Sequence, residues 1–171
     1  MIIRQECPSD YDEVYRLVRR SFATAAHSDG TEADYLNEVR KKDAFIPELS
    51  LVAELDSKII GQVVLYKTDI TTSGGTITEL VLSPICVHPD YFRQGIARAM
   101  VEQALRLAKN MGYTAVFLCG EPEIYRRFGF VPSYEFGIFH VMDPEQNAEW
   151  CMARELAEDA LNRITGTVNI E

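Results

Sequence analysis

The stretch from Leu80 to Cys119 constrains the fold more than any other. Leu80 to Val87 is a mostly apolar run of strand length, and Ala115 to Cys119 is a second. Between them lie a Pro-bearing turn (His88 to Phe92), a glycine-bearing loop (Arg93 to Ala97) and a helical stretch from Ile96 to Met111. Ile96, Met100, Ala104 and Ala108 fall on one stripe of that helix, Val101, Leu105 and Leu107 widen it, and Gly112 is placed to stop it. The pattern predicts a β–α–β unit with parallel strands and a right-handed crossover. Its loop meets a helix start, where unpaired N–H groups and the helix dipole favour an anion. Arg93, Arg98, Arg106 and Lys109 face only Glu102 over this stretch, although the whole chain carries a net charge of -9. A cationic anion cradle in an acidic protein needs an explanation.

The remaining elements follow in order. Ile2 to Glu6 reads as a short strand, and Tyr11 to Phe22 as a helix with Val14, Leu17, Val18 and Phe22 on its apolar side, capped by Ser9 or Asp10. Ala23 to Gly30 reads as a loop, and Glu32 to Lys42 as a second helix capped near Thr31. Leu49 to Leu55 and Ile59 to Thr68 form a hairpin about the turn Asp56-Ser57-Lys58, and Ser73-Gly74-Gly75 turns the chain into Ile77 to Val87. Pro84 cannot donate to a ladder, so it marks a strand break, an edge or a bulge that leaves backbone groups facing a ligand. A short helix is predicted from Glu121 to Arg127, strands near Phe136 to Val141 and Glu149 to Ala153, a short helix from Glu155 to Arg163, and a terminal strand or tail from Thr165 to Ile170. No repeat or linker interrupts the 171 residues, so a single domain spanning 1–171 is expected.

Composition narrows the function. The chain is 47% hydrophobic with no apolar run near the ~20 residues of a membrane span, and its N-terminus lacks a secretory pattern. Its acidity argues against nucleic-acid binding. Cys7, Cys86, Cys119 and Cys151 are widely spaced without a Cys-x-x-Cys pair, so no metal site is expected and the thiols read as reduced, in the cytoplasm.

Three features make the chain resemble the GNAT-superfamily N-acetyltransferases, in the small bacterial YhbS-like branch. Ile85-Cys86-Val87-His88-Pro89 followed by Arg93-Gln94-Gly95-Ile96-Ala97 is similar to the family's acetyl-CoA signature, Gln/Arg-x-x-Gly-x-Gly/Ala. Tyr125-Arg126-Arg127-Phe128-Gly129-Phe130 resembles its closing helix. The order of elements matches as well. The first signature position, Gln or Arg in the family, is Phe92 here.

The resemblance implies an α/β (α+β) fold, with a mixed, mostly antiparallel central sheet flanked by helices, a β–α–β acetyl-CoA unit and a splayed strand pair. It implies an acetyl-CoA-dependent transferase acting on a primary amine of a small molecule or peptide, by direct attack in a ternary complex. It leaves a homodimer open and calls for no metal, nucleic acid or membrane. The amides of Arg93, Gln94, Gly95, Ile96, Ala97 and Arg98 would cradle the pyrophosphate. The backbone of Ile85, Cys86 and Val87 would pair with the pantetheine arm like an added strand.

By the same resemblance, Tyr125 would be the acid at the leaving sulfur. Its reference pKa of ~10 against ~8.5 for a thiol makes the donation modestly uphill. For the base, Glu79, His88 and Glu121 are all candidates, each with a structural alternative. Arg126 and Arg127 are either solvated or in contact with coenzyme phosphates. Cys86 and Cys119 read as core residues rather than nucleophiles, since direct transfer needs no covalent intermediate. Acceptor binding falls to the helices between Tyr11 and Lys42 and to the C-terminal strands. There Asp29, Glu32, Asp34 and Glu38 are either an attraction for a cationic amine or a solvated face. A non-catalytic acyl-CoA-binding or sensing module is the competing function. A dinucleotide-binding domain fits poorly, because the first strand has no Gly-rich loop after it.

Overall fold

The computed structural model describes residues 1–23, 25 and 28–171. The loop expected over Ala23 to Gly30 includes residues 24, 26 and 27, which lie outside the described residues. The chain forms a mixed, mostly antiparallel sheet flanked by helices, and it divides into two compact units, Met1–Tyr66 with Ser83–Leu107 and Lys67–Leu82 with Ala108–Glu171. Strands β3 and β4 and helix α3 each contribute residues to both.

In the first unit, β1 (Ile2–Gln5), β2 (Phe45–Leu55) and β3 (Lys58–Thr72) pair antiparallel in that order. Strand β2 begins before the expected Leu49, and the register shifts between Phe45 and Ser50, where Pro47 interrupts the donors. Helix α1 (Tyr11–Phe22) buries Val14, Leu17 and Val18, and α2 (Glu32–Val39) buries Ala33, Leu36 and Val39. All of these except Val39 form one cluster with Val52, Ile59, Val64 and Cys86 of the sheet. On the opposite face Met100 of α3 (Ile96–Asn110) closes against Gly61, where a Cβ would run into its sulfur and terminal methyl.

Two helix ends differ from expectation. Asp10 precedes α1 but makes no side-chain capping bond. Its carboxylate instead accepts Arg4 Nη1 and Nη2 (2.7 and 3.0 Å) and the Cys7 N–H (2.9 Å), and Arg4 Nε also reaches Glu54 (2.8 Å). A bidentate guanidinium competes better for a carboxylate than one backbone N–H does. Helix α2 stops at Val39 rather than Lys42. Arg40 turns inward to pair with buried Glu6, which also accepts Ser50 Oγ (2.7 Å).

In the second unit, β4 (Gly75–Val87) pairs parallel with β5 (Ala115–Cys119) at Leu80↔Val116 and Val81↔Phe117. Strand β5 pairs antiparallel with β8 (Cys151–Glu155) as far as Cys119↔Cys151. Short β6 (Val131–Pro132) joins β8, and β9 (Gly166–Val168) pairs with β3 and with β7 (Ile138–His140). The β4–β5 ladder ends before the cis Ser83–Pro84 peptide, and β4 continues as strand to Val87. Helix α3 ends as expected: Tyr113 N–H reaches Ala108 O and Gly112 N–H reaches Lys109 O, with Gly112 left-handed.

The helix expected over Glu155 to Arg163 does not form. Glu155 belongs to β8, its carboxylate takes the Leu161 N–H (2.7 Å), and Asp159 and Arg163 adopt positive φ. Arg4 holds the Asp10 carboxyl well below the usual carboxylate range. A depressed folded-state pKa contributes stability that is present above the unfolded value and lost as pH falls through the folded one. Asp10→Asn is therefore expected to cost about 1–2 kcal/mol at neutral pH. In urea unfolding, the gap to wild type should close progressively below about pH 4.

Candidate active site

The residues expected to hold the coenzyme lie in the first unit. After β4, His88 leads into a 3-10 turn (Pro89–Tyr91), held by its Nδ1 accepting the Asp90 N–H (3.2 Å). His88 N–H donates to Ile60 O (2.7 Å), which fixes where β4 leaves β3. The chain then passes through Arg93 at φ 63° and Gly95 at φ 78° before entering α3. Left-handed residues this close together turn successive N–H groups toward one side, the geometry of an anion nest. The N–H groups of Ile96, Ala97 and Arg98 sit in the first turn of α3, where intrahelical acceptors are missing. Buried Ile96 (5% exposed) anchors the loop, while Phe92, Arg93, Gln94 and Arg98 are exposed. Phe92 thus brings an apolar ring to the signature's first position, and the cradle consists of backbone donors with arginines beside them.

Upstream, Cys86 is buried and Ile85 half-buried. The Cys86 carbonyl lies on the Gly61 side, so by strand alternation Ile85 and Val87 direct their backbone groups away from β3. Ser21 Oγ donates to the Val87 carbonyl (3.0 Å). Of the three residues expected to pair with a pantetheine arm, Cys86 faces β3, and Val87 has its carbonyl taken. Burial pushes the Cys86 thiol up to about 12, which fits a core residue.

The second unit carries a separate group of candidate residues. Strand β5 ends at Cys119, and Glu121 is the N-cap residue of α4 (Pro122–Tyr125). The Tyr125 ring folds back over Gly120, where any Cβ would collide with it, and packs edge-on to Phe128 (6.3 Å) and Phe130 (6.2 Å). This apolar setting pushes the Tyr125 hydroxyl up to about 12.

Glu79, one of the candidate bases, is engaged through both carboxylate oxygens. It is buried, and its carboxylate accepts Thr114 N–H (3.0 Å), Ala115 N–H (3.0 Å) and Thr114 Oγ1. Both oxygens are tied to the α3–β5 connection, which makes Glu79 a clamp rather than a free base. His88 is likewise engaged in its turn. Three of the acidic residues near α2 have local partners: Asp29 accepts from Thr31, Asp34 accepts from Tyr15 (2.9 Å) and Glu38 pairs with Lys41 (2.7 Å). Arg126 approaches Glu149 (3.6 Å).

Two residues of the site region escaped the sequence reading. Ser21 is an ordinary helix serine by pattern. Gln62 is fully buried beside Cys86, with neither amide atom hydrogen-bonded, and its signal was a lone amide inside the apolar run Ile59 to Leu65. Among the described residues, no group of three His, Cys, Asp or Glu side chains is placed to hold a metal ion, and no helix is long and apolar enough to cross a membrane.

Residues 3–133 match the Acetyltransferase (GNAT) domain family, and the chain belongs to that family. It is 35% identical to the N-acetyltransferase YhbS of Escherichia coli (strain K12), over 98% of this chain and 95% of that protein. It is 26% identical to the N-acetyltransferase YjhQ of the same organism over 66% of this chain and 62% of that one. The crystal structure of E. coli YhbS in complex with CoA superposes with a TM-score of 0.85 at 31% identity, covering 99% of this chain and 89% of that one. A Brucella melitensis GNAT acetyltransferase, solved with acetyl-CoA, shares the fold at a TM-score of 0.78 and 24% identity, over 99% of this chain and 95% of that one.

A clamp and a base respond differently to substitution. Glu79→Gln keeps the shape but turns an acceptor pair into one acceptor and one donor. It is expected to cost about 1–3 kcal/mol in chemical denaturation. The turnover number at saturating substrate should stay within about twofold of wild type, whereas loss of a base would lower it by about 10²-fold or more.

Proposed function

We propose that the chain transfers an acetyl group from acetyl-CoA to a primary amine of a small molecule or peptide by direct attack. The observation that carries this reading is the double left-handed turn at Arg93 and Gly95 immediately before α3. It shapes backbone N–H groups into a cradle suited to a pyrophosphate, and those of Ile96, Ala97 and Arg98 add the positive end of the helix. The donor set fits the pyrophosphate of coenzyme A, whose acetylated form would supply the acetyl thioester.

The roles of the other residues follow from their placement. Arg93 and Arg98 contribute positive charge beside the cradle. Ile85 and Val87 offer backbone groups on the edge of β4 away from β3, where the amides of an extended arm can pair. Ser21 holds the Val87 carbonyl and so fixes that edge. Tyr125 keeps its proton at neutral pH and donates a hydrogen bond to the departing sulfur. The acceptor enters as a neutral amine, and no thiol of the chain carries the acetyl group.

Coenzyme release measured against a panel of amines and peptides tests the reading, and absence of turnover on every acceptor would overturn it. Tyr125→Phe is expected to lower turnover by about 10–10²-fold, with coenzyme affinity within about twofold of wild type. With the Tyr125 pKa at about 12, the pH–rate profile should rise with amine deprotonation and show no descending limb from this residue up to about pH 10. At Gly95 a β-branched side chain is strained at positive φ, so Gly95→Val should weaken coenzyme binding by about tenfold in calorimetric titration.

A further inference from the structure

Cys119 and Cys151 are far apart in sequence but stand directly opposite each other on β5 and β8. The neighbouring Gly120 N–H donates to Trp150 O (2.9 Å), and Leu156 N–H donates to Thr114 O (2.7 Å). These contacts make the even-numbered positions of β5 the hydrogen-bonded pairs, so Cys119 and Cys151 form a non-hydrogen-bonded pair. Such pairs bring Cα atoms to ~4.5 Å with side chains on the same face. That spacing lies within the ~4.4–6.8 Å over which a disulfide can close. The two thiols are hydrogen-bonded to one another, and Ser133 Oγ donates to Cys151 Sγ (3.2 Å). Cys119 is exposed at the strand end and Cys151 is buried behind it. Cys119 is followed by Gly120, the residue under the Tyr125 ring.

We propose that Cys119 and Cys151 are a reversible dithiol that closes to a disulfide under peroxide and slows the enzyme by fixing the end of β5 beneath Tyr125. Cys151 is the attacking sulfur, because Cys119 S–H and Ser133 O–H both donate to it and stabilise its thiolate. The thiolate attacks one oxygen of hydrogen peroxide, the O–O bond breaks, and hydroxide leaves to become water, giving a sulfenic acid on Cys151. Cys119 then attacks that sulfur. The S–S bond forms, the S–O bond breaks, and the oxygen leaves as a second water with the Cys119 proton. Overall the two thiols lose two hydrogen atoms (two protons and two electrons), and one peroxide becomes two waters. A dithiol reductant reverses the change by exchange.

The effect on rate rests on the acetyl-transfer reading, and the bridge itself does not. The test uses the full chain carrying Cys7→Ser, which removes the other exposed thiol. The protein is exposed to hydrogen peroxide, alkylated and mapped by peptide mass. The expected result is a linked pair of peptides containing Cys119 and Cys151, a loss of two hydrogen atoms in intact mass, and a fall of about tenfold in acetyl-transfer rate that dithiothreitol restores. Adding Cys119→Ser should abolish the link and the reversible loss of rate. Cys119 and Cys151 both alkylated after peroxide would overturn the proposal, and this peptide mapping tests the bridge even in a protein without turnover. A link that leaves the rate unchanged would overturn its regulatory half.

Discussion

The second unit depends on one buried carboxylate. Glu79 stands on β4 one residue before Leu80, and its oxygens receive the N–H groups of Thr114 and Ala115 together with the Thr114 hydroxyl. Those donors belong to the turn where the chain leaves α3 and enters β5. The clamp therefore sets the register at which β5 meets β4, Leu80↔Val116 and Val81↔Phe117, over a ladder that is itself very short. Charge-assisted bonds to backbone N–H groups are roughly twice as strong as neutral ones. A single side chain can thus support a parallel pairing that its few ladder bonds would hold weakly. Everything that follows on β5, including Cys119, Gly120 and the placement of Tyr125, inherits this register.

The local pattern of the chain was legible where periodicity and punctuation agreed. Helix α1 occupies the predicted residues, α3 ends within one residue of its predicted bound, and Gly112 closes it with the expected hydrogen bonds. Strand β5 is as predicted, because five apolar residues after a helix stop leave little ambiguity. Two misreadings share a cause, a side chain from outside the element claiming a local group: Arg4 drew the Asp10 carboxylate from its capping position, and Glu6 drew Arg40 out of the α2 pattern. In the third, Glu155 was taken into β8 and its carboxylate accepts the Leu161 N–H. Pairings separated by up to tens of residues leave no periodic trace, and propensity yields to tertiary contact. The candidate site divides the same way. A glycine-bearing loop before α3 was readable from Gly95 and its setting, whereas the left-handed Arg93 within it, the clamp at Glu79 and the pairing of Cys119 with Cys151 became visible only in three dimensions.

The environment of Tyr125 decides what sort of acid it can be. With its hydroxyl at about 12 and a thiol near ~8.5, full proton transfer to a thiolate is uphill by ~3.5 pKa units, or ~5 kcal/mol. The modest gap expected from reference values has widened, because burial disfavours the charged phenolate. A growing negative charge on the sulfur would raise the phenol further, since like charges oppose its ionisation. Hydrogen-bond donation without transfer avoids that cost. A bond to a charged acceptor contributes about 1.5–3 kcal/mol, or roughly 10–10²-fold in rate. The same desolvation that weakens the acid strengthens the hydrogen bond, because the interaction is less screened in an apolar setting. The edge-on contacts of Tyr125 with Phe128 and Phe130 therefore favour, for the acid role proposed above, hydrogen-bond donation to a leaving thiolate over full proton transfer.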